Sequence, residues 1–182
     1  MNRSMSREDL KNISFDKWPE IFESLGLKKY NCAQVFSWIY SKGAKSFDEM
    51  TNLSKETRAL LNEKYDLGNL KLLDLLKDED GTKKYLFELS DGEKIESVLI
   101  PAKETRRTIC ISSQVGCLLG CQFCRTGDIG FKRNLTVSEI VDQILKVRED
   151  VSSDGAAITN IVFMGMGEPL ENYDNVAKAI KI

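Results

Sequence analysis

The stretch SSQVGCLLGCQFCRTGDIGF, Ser112 to Phe131, puts Cys117, Cys121 and Cys124 within eight residues, three of the chain's five cysteines. Outward from it the chain alternates between two periodicities. "TICIS" before the cysteines predicts a buried strand. "TVSEIVDQILKVRED" after them predicts a helix, with Thr136 and Glu139 at capping-box spacing and an apolar stripe of Ile140, Val141, Ile144, Leu145 and Val151. "AITNIVFMGM" then predicts a second buried strand, and "NYDNVAKAIKI" another helix. Strand, helix, strand, helix implies parallel strands joined by right-handed crossovers. Two such units cannot close a barrel, which takes about 250 residues, so the expected fold is either completed by further chain or left with open sheet edges.

Upstream, "NLKLLDLLK", "KKYLFELS" and "KIESVLIP" are short and rich in strand formers, separated by Asp80-Gly81 and Asp91-Gly92. They predict a three-stranded meander, least secure at its Leu-rich first member. The first 65 residues read as short helices. Asn31 with Gln34 and Ser46 with Glu49 fit capping boxes, and Ser54 opens a third helix. Phe15, Trp18, Phe22, Tyr30, Phe36, Trp38 and Tyr40 are expected to form the core of this helical unit, the alternative being a base-stacking platform. The fold class expected is therefore α/β. Residues 1–66 are expected to form a small N-terminal helical accessory domain, 67–106 a β-meander, and 107–182 a parallel unit that is either the incomplete start of a barrel domain or an open sheet.

At 182 residues, 42% hydrophobic and 30% charged, the chain has the composition of a globular protein. A formal net charge of −2 carries no global signal for nucleic acid. There is no apolar run of membrane-spanning length and no signal peptide, so the expected location is the cytoplasm, without a membrane partner. In that reducing compartment the cysteines read as metal ligands or redox groups rather than a disulfide framework. The absence of histidine excludes mixed Cys-His zinc sites, Ser-His-Asp and Cys-His nucleophiles, and an imidazole base.

Cys-x3-Cys-x2-Cys offers three thiolates to a four-iron cluster and leaves one iron open. Two alternatives stand beside it: a zinc site drawing on Cys110 as fourth ligand, and three unliganded thiols. "MGMGEP", Met164 to Pro169, is a Gly-rich turn at the end of a predicted strand, where α/β folds place ligands. Lys103, Arg106, Arg107, Arg125, Lys132 and Arg133 flank the cluster segment and could meet RNA phosphates or form a solvated face.

The cysteine spacing, with Phe123 before the last cysteine, resembles the signature of the radical S-adenosylmethionine (SAM) superfamily. "IESVLIP", "CISSQVGC", "CQFC", "GFKRNLTVSEI" and "ITNIVFMGMGEPLENYDNV", with the upstream "YNCAQVFSWIY" and "FDEMTNLSKETRALL", are similar in the same order to the RlmN-type rRNA adenine-C2 methyltransferases. The resemblance implies a 4Fe-4S cluster on Cys117, Cys121 and Cys124, with SAM chelating the open iron. It implies cofactor contacts from Phe123, Gly167 and Glu168, the last two holding the SAM amino group. It further implies that one SAM methylates an enzyme cysteine, and that a second is cleaved so that its 5'-deoxyadenosyl radical activates that methyl for addition to adenine C2.

By the same resemblance Glu96 is the proton acceptor, and strand alternation sets it beside Val98 and Ile100 in an apolar setting that would raise its pKa. Cys110 aligns with the cysteine that releases the protein-RNA adduct, against the plainer reading of a small core residue; Cys32 reads as core. The implied partners are 23S rRNA, tRNA and an electron donor such as flavodoxin, with a monomer expected. The methyl-carrying cysteine of the family lies far toward the C-terminus, and no cysteine of this chain matches it. The 182 residues alone are therefore expected to bind a cluster at most. C8 methylation, thiomethylation, glycyl-radical activation and a zinc-stabilised RNA-binding module are the competing readings.

Overall fold

The computed structural model describes residues 7–68, 70–102, 106–153 and 155–182. The chain divides into two compact units, residues 1–68 and 69–182. In the first, helices α1 (Trp18–Ser24), α2 (Lys29–Phe36, extended by a π-type turn over Ser37–Ser41) and α3 (Lys55–Lys64) pack around Leu10, Trp18, Phe22, Val35, Ile39, Met50 and Leu61. Strand β1 (Glu8–Asp9) pairs in parallel with β2 (Tyr65–Asp66), fastening the beginning of the unit to its end.

Two sequence expectations change here. α2 begins two residues before Asn31, and the Asn31 side chain reaches back to accept the Lys28 backbone N–H at 3.0 Å, acting from inside the first turn. The aromatic set splits. Trp18 and Phe22 are buried, whereas Phe15 and Tyr30 are exposed and Phe36 and Tyr40 are half-buried. Helical periodicity explains this, because Val35 and Ile39, four apart, take the inward face and leave Phe36 and Tyr40 on its flank. Phe15, Phe36 and Tyr40 form a surface ladder with centroids 4.5 Å apart at each step.

The second unit is built on a five-stranded sheet in the order β3-β4-β5-β6-β9. Strands β3 (Lys71–Lys77), β4 (Lys83–Glu88) and β5 (Lys94–Pro101) form the antiparallel meander; β6 (Arg107–Cys110) continues it antiparallel to β5. A short ladder of β7 (Gln114–Val115) and β8 (Arg133–Asn134) stands apart from the sheet. Between these two strands lies helix α4 (Arg125–Ile129). Helix α5 (Val137–Ser153) then crosses over to β9 (Asn160–Val162), which is parallel to β6, and α6 (Tyr173–Ile180) follows.

Tyr85, Phe87, Ile95, Leu99, Ile109 and Ile111 pack one face of this unit against Ile140, Val147 and Val151 of α5 and Val176 of α6. Burying such side chains contributes roughly 1.5–3 kcal/mol each, which is what orders the sheet. Thr136 and Glu139 cap α5 reciprocally: Glu139 Oε2 accepts the Thr136 N–H at 2.9 Å, and Thr136 Oγ1 accepts the Glu139 N–H at 3.3 Å. β9 departs from the expected buried strand, since Asn160 and Ile161 are exposed. Among the described residues it pairs with β6 alone. Among the described residues no helix is long and apolar enough to cross a membrane.

Candidate metal centre

β6 and β9 are parallel neighbours, so the segments leaving their C-terminal ends emerge side by side. One carries the cysteines, the other MGMGEP. Hydrogen bonds lace them together. Gly165 N–H donates to Ile111 O at 3.1 Å, and Ser113 N–H and Gln114 N–H donate to Met166 O at 2.8 and 3.2 Å. Ser112 Oγ accepts the Met166 N–H at 2.9 Å and donates to Glu96 O at 2.6 Å.

The cysteine loop is closed at its base by the β7–β8 ladder, with Lys132 N–H donating to Val115 O at 3.0 Å. Gly116, at φ +75°, makes the closure possible. A Cβ there would lie 1.6 Å from Gly130 O, so no side chain fits. The β4–β5 turn and the start of α5 brace the exit strand: Lys132 Nζ pairs with Glu93 at 2.6 Å and Arg133 Nε with Asp91 at 2.7 Å from the turn, and Arg133 Nη1 with Glu139 of α5 at 2.8 Å. The Glu139 and Asp91 carboxylates raise the Arg133 pKa despite its partial burial. These two cations, candidates for phosphate contact from sequence, are thus engaged within the protein. Arg125 pairs with Asp128 at 3.0 Å, Arg106 is exposed, and Lys103 lies outside the described residues.

Within the closed loop Cys117, Cys121 and Cys124 are partly exposed. Backbone N–H groups of Gly127 and Thr126 at the start of α4 face Cys124 and lower its thiol pKa. Leu118, Leu119, Phe123, Ile129 and Phe131 are exposed around them, Phe123 at 94%. Such a concentration of open apolar groups marks a surface built to be covered. Among the described residues no three Cys, Asp or Glu side chains are placed as ligands of a single metal ion. In a four-iron cubane each thiolate takes its own iron, so three cysteines leave one iron open. Three accessible thiols on one glycine-shaped loop fit that group.

Cys110 sits in β6, 7% exposed; burial raises its thiol pKa, and the Met164 backbone N–H partly offsets the rise. Pairing sets Val98 opposite Cys110, so Glu96, Val98 and Cys110 share one sheet face. That face is more open than the apolar setting expected of Glu96. Its side chain is 42% exposed and pairs with Lys84 across the strands at 3.0 Å. Gly167 adopts φ +93°, and Glu168 Oε1 accepts the Leu170 N–H at 3.0 Å, capping the turn Pro169–Asn172.

Sequence reasoning missed two buried amides. Gln143 sits on the inward stripe of α5 with all four hydrogen-bonding positions used. Oε1 accepts from Ser112 N–H and Ser97 Oγ, both at 2.8 Å, and Nε2 donates to Ser112 O at 3.0 Å and Glu139 O at 3.1 Å. Its signal was a polar residue in register with Ile140 and Val147. Gln114, fully buried, joins the cysteine segment to the Gly-Glu turn.

Comparison with known proteins agrees with this architecture. Residues 8–67 match the family described as the ribosomal RNA large subunit methyltransferase N-terminal domain. A dual-specificity RNA methyltransferase RlmN from Pelobacter propionicus is 51% identical over 97% of this chain and 49% of its own length. A probable dual-specificity RNA methyltransferase RlmN from Thermotoga neapolitana is 49% identical over 96% of this chain and 50% of its own. The crystal structure of a radical SAM methyltransferase from Sphaerobacter thermophilus superposes with a TM-score of 0.89 at 38% identity, covering 96% of this chain and 51% of that one. The chain spans about half the length of the curated relatives it matches, and across that half its sequence is similar to RlmN dual-specificity RNA methyltransferases and its α/β architecture to a radical SAM methyltransferase.

Proposed function

We propose that this chain forms the cluster-binding half of a radical SAM RNA methyltransferase that methylates adenine C2 in 23S rRNA and tRNA. One observation carries the reading. The segment entering the three-cysteine loop, Ile111 to Gln114, and the segment carrying the Gly167-Glu168 turn leave adjacent parallel strands at the same end and are hydrogen-bonded to each other. That end of a parallel sheet is where α/β folds assemble their sites.

In this reading Cys117, Cys121 and Cys124 hold the cluster, Gly167 and Glu168 hold the SAM amino group, and Phe123 covers the cofactor. Bound there, the 4Fe-4S cluster and SAM supply one-electron cleavage of the SAM carbon-sulfur bond. Glu96 accepts the proton from C2, with Lys84 orienting its carboxylate. Cys110, whose thiol pKa is raised by burial, lies on the same sheet face as Glu96 and is the residue that would release the adduct. RNA is the substrate class; a flavodoxin-like reductant, a monomeric state and a cytoplasmic location complete the proposal.

The test is an anaerobic assay of the full-length protein on 23S rRNA and tRNA, with nucleosides read by mass spectrometry. The expected product is 2-methyladenosine, and Glu96→Gln is expected to slow its formation by about 10²-fold or more, the usual worth of a general base. Methyl at C8, a thiomethyl product, or no SAM-dependent product would overturn the reading.

A further inference from the structure

Gln114 is neither a thiolate ligand nor a proton carrier, yet it is 0% exposed beneath the turn that the preceding proposal assigns to SAM. Its side-chain oxygen accepts the Glu168 backbone N–H at 3.0 Å. Because a backbone N–H can only donate, the amide must present its oxygen there and its nitrogen on the other side, where Nε2 donates to Asn134 Oδ1 at 2.8 Å. Asn134 in turn donates from Nδ2 to Glu171 O at 3.2 Å. The chain of amides therefore runs from both ends of the Glu168–Glu171 turn to the exit strand of the cysteine loop.

The backbone reinforces it. Gln114 N–H shares Met166 O with Ser113 N–H. A Cβ on Gly167 would lie 2.5 Å from Gln114 Cβ and 2.6 Å from its nitrogen, so the turn rests directly on this residue. Buried and hydrogen-bonded on both sides, Gln114 has little freedom to reposition, and the Gly167–Glu168 peptide is fixed with it.

We propose that Gln114 is a positioning residue that sets the Gly167–Glu168 turn at a fixed height over the cluster loop, and so tunes the affinity for SAM without touching the cluster or SAM. The inference rests on the proposed assignment of that turn to the SAM amino group.

The experiment uses the full-length, anaerobically reconstituted protein and measures iron content, the SAM dependence of SAM cleavage under a chemical reductant, and thermal stability. Gln114→Leu fills the space but leaves the Glu168 N–H without an acceptor. It is expected to retain the cluster and raise KM for SAM about tenfold, with kcat changed by less than about twofold. Asn134→Ala keeps the Gln114 oxygen but releases its anchor, and is expected to raise KM about threefold. Where Gln114→Leu gives no loadable protein, Asn134→Ala decides. Lowered thermal stability with KM for SAM unchanged in the variants would overturn the inference and leave a purely structural glutamine. A wild-type protein that binds iron but neither binds nor cleaves SAM would overturn the assignment of the site itself, and this inference with it.

Discussion

Cys32 and Cys110 are 3% and 7% exposed, and burial pushes both thiols above their ordinary range, while Cys117, Cys121 and Cys124 remain partly open on their loop. In reduced, cluster-free protein near neutral pH, iodoacetamide is therefore expected to modify the three loop cysteines at least about tenfold faster than Cys32 and Cys110. Mass spectrometry of the labelled peptides reads this directly, and labelling of Cys110 at the rate of the loop cysteines would contradict it. The cysteine triplet stands out in the sequence because its spacing is local. The setting of Glu96 does not. Alternation assigns a strand residue to a face, but the cover over that face comes from distant chain, and here Glu96 meets Lys84 and solvent. Gln114 and Gln143 escaped notice for a related reason, since a buried amide is defined by partners on other elements.

Capping and turn chemistry are local as well, and the elements they govern were readable. Thr136 and Glu139 cap α5, and Asp80-Gly81 and Asp91-Gly92 turn the meander. What joins elements was harder to foresee, and Asp150 near the end of α5 shows why. It accepts from Lys83 Nζ at 2.8 Å and Tyr85 Oη at 2.6 Å, tying the helix to β4. Burial works to raise its pKa, but the Lys83 and Tyr85 hydrogen bonds outweigh it and the net shift is downward. A carboxylate lowered in the folded state stabilises fully above its unfolded value of about 3.9, and the contribution is lost as pH falls through the folded value. Asp150→Asn is expected to cost about 1 kcal/mol at pH 7, allowing for partial exposure. Urea unfolding across pH checks it: the gap to wild type should close toward pH 2, and a gap that is absent at pH 7 or persists undiminished at pH 2 would contradict the assignment.

For the molecule as a whole, alternating periodicities foretold a parallel sheet, yet the continuity of the meander with it was hidden. β5 meets β6 antiparallel, so meander and parallel pair form one sheet that runs from β3 to β9. Among the described residues β9 pairs with β6 alone, and Asn160 and Ile161 are exposed. The formal charge of −2 likewise says nothing of the site, because Lys132 and Arg133 are engaged with acidic partners inside the unit. Cys117, Cys121 and Cys124 are proposed to hold a cluster together, with an iron left open for SAM. Anaerobic reconstitution with iron and sulfide, followed by metal analysis and electron paramagnetic resonance with and without SAM, tests it most directly. The account predicts about four irons per chain, a reduced-cluster signal that changes when SAM is added, loss of the cluster on replacing any of the three cysteines by Ala, and its retention in Cys32→Ala and Cys110→Ala. One equivalent of zinc without iron, or a cluster that survives in a Cys117, Cys121 or Cys124 variant, would contradict it.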